Sequence, residues 1–288
     1  MNGILSYEFM QNAIIVGIMA SIICGIIGPF IVARRMVFIS GGLSHTAFGG
    51  LGIAYWLGIN PLFGATAFVL ASAFLIARME EKKLNQNDLF IGILWAIGVA
   101  IGIIFIHMTP GYTPDLMTFL FGNILTVPRL DVLITLILVL IVTAAVLTFY
   151  RGFVAIALDE EYAQARRLPV ASLKMGLMLL TAISIVTLIQ VVGILLVIAL
   201  LTIPVAVASE LSGNFRRIML LSVLCGIVTC LAGLLISYFI EFPSGASIIL
   251  IGGVLFGLVR GAKRICLRRK SLQPAETRQP TEDVPHRL

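Results

Sequence analysis

Apolar residues along this chain gather into long runs, and polar residues into the short gaps between them. A membrane-crossing helix needs about 20 predominantly apolar residues. Nine runs read as such helices, at about 13–33, 43–58, 61–77, 90–107, 130–150, 173–190, 193–209, 218–240 and 244–259. The segment 115–127, DLMTFLFGNILTV, is too short to cross and reads as a re-entrant or interfacial helix. The stretch 175–208 holds 34 residues and no charge. As one helix it would reach about 51 Å, against a hydrocarbon core of about 30 Å. A break is therefore predicted at Gln190-Val191-Val192-Gly193.

The longest gap between spans is 151–172, RGFVAIALDEEYAQARRLPVAS. Asp159, Glu160 and Glu161 precede Tyr162-Ala163-Gln164-Ala165, then Arg166, Arg167 and Pro169. Acids first and bases last suit the helix macrodipole, and proline stops a helix, so a two-turn helix is predicted here. Its residues leave two roles open: a connector between spans, or a docking helix for a cytosolic partner.

Basic residues orient the spans. Arg34 and Arg35 follow the first, Arg78, Lys82 and Lys83 the third, Arg151 to Lys174 the fifth, Arg216 and Arg217 the seventh, and Lys263 onward the ninth. Placing each cluster in the cytoplasm leaves only Arg129 of the 20 Lys and Arg outside. Even numbers of crossings must then separate the clusters, which demands the same break near Gly193. The N-terminus comes out external and the C-terminus cytoplasmic. Residues 1–262 are expected to form a transmembrane domain and 263–288 a basic tail near anionic lipid.

Composition narrows the class. The 288 residues are 59% hydrophobic and 12% charged, with a mean hydropathy of +1.08. Soluble domains are about 45–50% apolar and about 25% charged. A soluble enzyme, a disordered chain and a disulfide-stapled module are excluded. The net charge of +6 sits in topological clusters, so it indicates a lipid bilayer and no nucleic acid. Cys24, Cys225, Cys230 and Cys266 form no CxxC pair and read as buried structural residues. The start, MNGILSYEFMQNAII, has no basic leader and reads as a polar lead into a retained span.

Candidate chemistry is sparse. The chain carries no GxxxxGK[ST] and no GxGxxG after a strand, so ATP hydrolysis, if it drives this protein, belongs to another chain. HExxH is missing too, and no histidine within the membrane follows Gly245-Ala246-Ser247, which argues against an intramembrane enzyme. Ser44 and His45 point about 100° apart on a helix and cannot act as a dyad. His45 lies in a helix of small residues, Ser40-Gly41-Gly42-Leu43-Ser44-His45-Thr46-Ala47-Phe48-Gly49-Gly50. Such helices pack closely, and an ionisable residue in a span usually faces an interior or a water path. Neutral imidazole also binds transition metals. A packing histidine bonded to a backbone carbonyl and a metal path both remain open. Glu8, Asp115, Asp131 and Glu241 fall on the external side, where with His107 they form either a vestibule attractive to cations or solvated loop charge.

Taken in order, these segments resemble the permease subunits of zinc, manganese and iron ABC importers. Asp159 through Pro169 is similar to that family's "D-p-e-f-A-r-a-x-G-l-p" coupling segment. Gln190 to Leu196, with Ala199 to Pro204, is similar to "q-x-v-G-x-L-L-v-x-a-L-L-x-x-P". Ser44-His45 with Gly49-Gly50 resembles "S-H-a-x-x-G-G", and Phe121 to Leu125 resembles "F-G-d-i-L". The similarity runs from about residue 10 to 262. Two positions depart: Gly42 stands where many members carry Asp, and Arg167 where many carry Gly.

The resemblance implies an all-α polytopic membrane protein like the vitamin-B12 importer (type II) permeases. It implies no enzymatic activity in this chain and no permanently bound cofactor. It implies a homodimer with two cytosolic ATP-binding subunits, an external metal-binding protein and a divalent metal ion as cargo. Asp159, Glu160, Glu161, Ala163, Ala165 and Pro169 would couple to the ATPase, and His45 would stand on the metal path. The competing reading is an ion-coupled secondary transporter of a small solute. That reading calls for an acid deep in a span, and this chain offers none.

Overall fold

A computed structural model describes residues 7–81, 87–110, 116–122 and 124–271. Among them, all regular structure is helical: α1 (Glu8–Ala33), α2 (Val37–Leu57), α3 (Pro61–Glu81), α4 (Asn87–Met108), α5 (Leu116–Phe121), α6 (Arg129–Leu158), α7 (Glu160–Ala165), α8 (Val170–Val192), α9 (Ile194–Leu211), α10 (Phe215–Ile240) and α11 (Ser244–Ser271). A 3-10 turn, Ile124–Thr126, follows α5. Nine of these helices are long and apolar enough to cross a membrane, and they coincide with the nine predicted spans. The segments 82–86 and 111–115, Asp115 included, and the tail beyond 271 lie outside the described residues.

Two helices run further than their apolar runs predict. α6 continues from Tyr150 to Leu158, because Phe153, Ile156 and Ala157 bury against neighbours and nothing breaks the helix before Asp159. α11 continues through the basic stretch to Ser271, so the expected tail begins inside a helix. Lys263 there donates to the Glu210 carbonyl (2.7 Å) and pairs with its carboxylate (2.9 Å), which caps α9 with positive charge.

The helices form two groups. α1 sits at the centre of one, packed by α6, α9 and α10, with α11 outside them. α2 is clasped by α3 and α4 in the other. There the contact is backbone on backbone: a Cβ on Gly50 would lie 2.1 Å from the Gly64 carbonyl, and one on Gly64 would lie 2.3 Å from that of Gly50. Without a hydrophobic driving force between helices in lipid, such close approach supplies the dispersion contacts that hold them. α8 joins the two groups, leaning on α3 at one side and α6 at the other.

Contacts sort the helix ends. At one end the Phe30 ring meets Phe215 (4.9 Å between centroids) and Phe153 (6.0 Å), and Lys174 pairs with Glu160. This end gathers the last turns of α1, α6, α9 and α11 and the first turns of α8 and α10, and with them the basic clusters. At the opposite end Arg129 pairs with Glu8, and the Asn12 side chain donates to the Val127 carbonyl (3.2 Å). The clusters at Arg34, Arg151, Arg216 and Lys263 thus share one end, as the parity argument requires.

The predicted break is a single residue. α8 ends at Val192 and α9 begins at Ile194, with Gly193 between them at φ 84°, ψ 161°. One residue cannot fold two helices into a side-by-side hairpin, so α8 and α9 diverge to different neighbours. The α5 turn fills the gap. A Cβ on Gly193 would lie 2.3 Å from the Gly122 amide nitrogen, and one on Gly122 (φ 64°) would lie 2.3 Å from the Val192 carbonyl group. The described part of the segment expected to be re-entrant or interfacial, 116–122 and 124–127, is therefore a wedge seated on the break, with Ile124 buried beneath it.

Gly193→Val combines a left-handed φ on a β-branched residue with backbone overlap. It is expected to cost about 3 kcal/mol or more. Thermal unfolding of the detergent-purified protein reads this as a large drop in midpoint, and an unchanged midpoint would refute the wedge.

Candidate functional site

Three features carry functional weight: α7 at the basic end, His45 in the middle of α2, and a small cavity at the opposite end.

α7 is short and held at both ends. Asp159 is extended (φ −153°, ψ 103°) and its side chain accepts from the Tyr162 amide (2.9 Å), which caps the helix start. At the other end, Leu168 N–H reaches the Ala163 carbonyl (3.1 Å) and Arg167 N–H reaches that of Gln164 (2.9 Å). Arg167 takes φ 56° to make this closure, a Schellman arrangement that glycine adopts at less cost. The glycine that many resembling proteins carry here has this physical reason, and the chain makes the same helix end without it.

Glu160 pairs with Lys174 of α8 at 2.6 Å, and the Lys174 side chain is 10% exposed. Glu160 is therefore occupied within the chain, and Glu161 faces outward. Ala163 also differs from expectation. Expected to admit a partner's backbone, it is wholly buried, its face turned into this chain's own core. The outward surface includes Asp159, Glu161, Tyr162, Gln164, Ala165 and Pro169, with Arg166 and Arg167 exposed beside them. Sequence spacing could have separated Ala163 from Ala165, since residues two apart lie about 200° round a helix.

His45 is half-buried, its ring stacked on Trp95 of α4 at 4.3 Å and 11°. Among the described residues no protein group hydrogen-bonds its nitrogens, so the backbone-carbonyl bond of the packing reading is not made. His107 stands twelve residues beyond Trp95 in α4, about 18 Å along the axis, so the two histidines do not converge. Among the described residues no three His, Cys, Asp or Glu cluster. Gly42 lies one turn before this histidine and faces the same helix, α4: a Cβ there would lie 2.5 Å from Ile91. Gly41, one turn before His45 and on its face, has open space above it. A carboxylate would fit at 41 and clash at 42.

The cavity, about 190 Å³, lies between α2, α3, α5 and α8. Leu51, Pro61, Leu62 and Phe119 make it apolar, with Tyr55 and Gln190 as its polar groups. Its lining was not predicted, because four separate helices supply it. Of the expected vestibule acids, Glu8 is neutralised by Arg129. Asp131 and Glu241 share that end.

The family described as "ABC 3 transport family" matches residues 6–260. A membrane protein of Synechocystis sp. is 42% identical over 252 residues, covering 88% of this chain and 90% of the relative. The "manganese transport system membrane protein MntC" of Listeria monocytogenes is 36% identical over 256 residues, covering 89% and 91%. Among solved structures, "PsaBC from Streptococcus pneumoniae in complex with Fab" superposes with a TM-score of 0.82 at 31% identity, covering 93% of this chain and 98% of that one.

The α7 closure gives a direct test. Arg167→Gly is expected to stabilise the protein by about 1 kcal/mol, because the αL conformation costs a non-glycine residue about that much. A melting temperature raised by Arg167→Gly and lowered by Arg167→Val would bear this out, and the reverse order would contradict it.

Proposed function

The chain belongs to the ABC 3 transport family, and we propose that it carries divalent transition-metal ions into the cytoplasm as the permease subunit of a binding-protein-dependent importer. Manganese is the favoured cargo on the strength of the Listeria relative, and imidazole at His45 suits zinc and iron as well. Two copies of the chain enclose the path, cytosolic ATP-binding subunits dock on each, and an external metal-binding protein delivers the ion. The N-terminus faces out and the C-terminus faces in, with the basic end in the cytoplasm.

The observation that carries this reading is α7. A two-turn helix closed at both ends, pinned by a partly buried ion pair and exposing Glu161, Tyr162, Gln164 and Ala165 is built to meet another protein. ATP-driven closure of the ATPases would move α7 as a rigid body. Through Glu160 and Lys174 that motion passes to α8, whose far end contributes Val186, Ile189 and Gln190 to the outer cavity. One helix thus spans from the docking surface to the mouth of the path.

The secondary-transporter alternative loses ground for a physical reason. Coupling to a proton or sodium ion calls for an acid deep in a span. Among the described residues Glu8, Asp88, Asp131, Glu210 and Glu241 all lie in the terminal turns or caps of their helices.

Ala165 is the place to probe docking, since Ala163→Trp would damage the chain's own packing. Ala165→Trp is expected to leave membrane expression unchanged, abolish ATPase association and lower metal uptake at least tenfold. Normal uptake by Ala165→Trp and by an Asp159→Ala/Glu161→Ala double variant would reduce α7 to a connector. His45→Ala is expected to slow uptake at limiting metal while the variant still binds its ATPase. Unchanged uptake would assign His45 to packing against Trp95 alone.

A further inference from the structure

We propose that a cleft between α6, α8 and α10 at the basic end binds one anionic phospholipid of the surrounding leaflet, its phosphate on Arg151 and Arg216 and its acyl chain along the apolar wall. This inference stands apart from the transport reading and concerns the outer surface of the protein.

The cleft follows from how α6 and α10 meet α1. Each packs along α1 and is tied to it at Phe30, through Phe153 and Phe215 respectively. Between them opens a space of about 620 Å³, within the range of about 300–1,000 Å³ usual for ligand clefts. Leu147, Phe149, Leu168, Leu173, Met219 and Leu220 make its wall apolar. Leu147 and Leu220 are 68% and 63% exposed, so no described helix of this chain covers the cleft.

Depth places its rim among headgroups. α6 begins at Arg129 and has 30 residues. About 20 of them cross the hydrocarbon core, which sets Tyr150 and Arg151 at the far boundary. Tyrosine is at home at that level. The Arg216 guanidinium lies over the Tyr150 ring at 5.2 Å, which holds it at the same rim. Neither Arg151 nor Arg216 has a carboxylate partner among the described residues. Of the acids at this end, Glu160 is paired with Lys174 and Glu210 with Lys263, Asp159 caps α7, and Glu161 faces outward. An apolar slot open to lipid therefore ends in two guanidiniums without a counter-charge.

Guanidinium groups bind phosphate oxygens in pairs of parallel hydrogen bonds. A zwitterionic headgroup carries its own cation and gains less from a second positive group. An anionic headgroup keeps its net charge for the protein. The slot alone would suit any acyl chain, and the rim alone any phosphate. Together they select a lipid that has both.

Native mass spectrometry of the full chain, purified with the subunits that accompany it, tests this with three probes: dioleoyl-phosphatidylglycerol, dioleoyl-phosphatidylcholine and glycerol phosphate. The wild type is expected to hold one phosphatidylglycerol per chain, about tenfold more tightly than phosphatidylcholine, with no displacement by equimolar glycerol phosphate. Arg151→Gln/Arg216→Gln should bring phosphatidylglycerol down to the phosphatidylcholine level. Leu220→Trp, which fills the slot and leaves the rim intact, should weaken both lipids. Equal binding of the two lipids, undiminished binding by the double variant, or undiminished binding by Leu220→Trp would overturn the proposal. So would displacement by glycerol phosphate, which would make the rim a free-phosphate site. Loss of the lipid when the ATP-binding subunits associate would assign the cleft to protein docking instead.

Discussion

A bilayer core about 30 Å thick cannot contain a straight helix of 34 uncharged residues, and the arrangement of this protein depends on how the chain resolves that mismatch. It resolves it in one residue. Gly193 turns the backbone through a conformation that excludes a side chain, and Gly122 meets it with the same requirement. The backbone groups freed at such a break are tolerated at membrane depth only where protein covers them. The α5 turn supplies the cover. Because the link is one residue long, α8 and α9 separate, one toward α3 and α6 and the other toward α1, α10 and α11. The two helix groups and the span that joins them all follow from that divergence.

The same span links the two ends of the molecule. Lys174 stands near the start of α8 and Gln190 near its end, about 24 Å apart at helical rise. The first holds α7, and the second lines the cavity at the opposite end. A partly buried ion pair such as this adds little net stability in general, because desolvation offsets the attraction. Its value here lies in fixing where α7 sits relative to α8, so that a displacement of one is a displacement of the other.

Much of this could be read from the chain. Span number, the break at Gly193 and the α7 helix were legible because each follows from a one-dimensional rule: apolar length, charge position, or the order of acids and bases. The sites were less legible because they depend on which helix faces which. Nothing local to His45 indicates that Trp95, fifty residues later, covers its ring. Nothing local to Glu160 indicates that Lys174 will claim it. The length of 115–127 excluded crossing and pointed to a re-entrant or interfacial segment, but the partner on which Gly122 rests was a glycine seventy residues away. Where α6 outran its apolar run, the hydropathy rule failed because Phe153 and Ile156 bury against protein rather than lipid.

The placement of α1 bears on how the protein is made. Its Gly28 rests directly on the Leu201 carbonyl of α9, and its Gly25 on Val223 of α10. Those partners are synthesised some 170 to 200 residues later, a delay of roughly 10–40 s at common translation rates of about 5–20 residues per second. Through that interval the first helix lies in the bilayer with the grooves meant for its neighbours still open. Its uniformly apolar surface lets lipid fill them for the time being. The central element thus enters the membrane well before the neighbours that enclose it, and their arrival displaces lipid from around it.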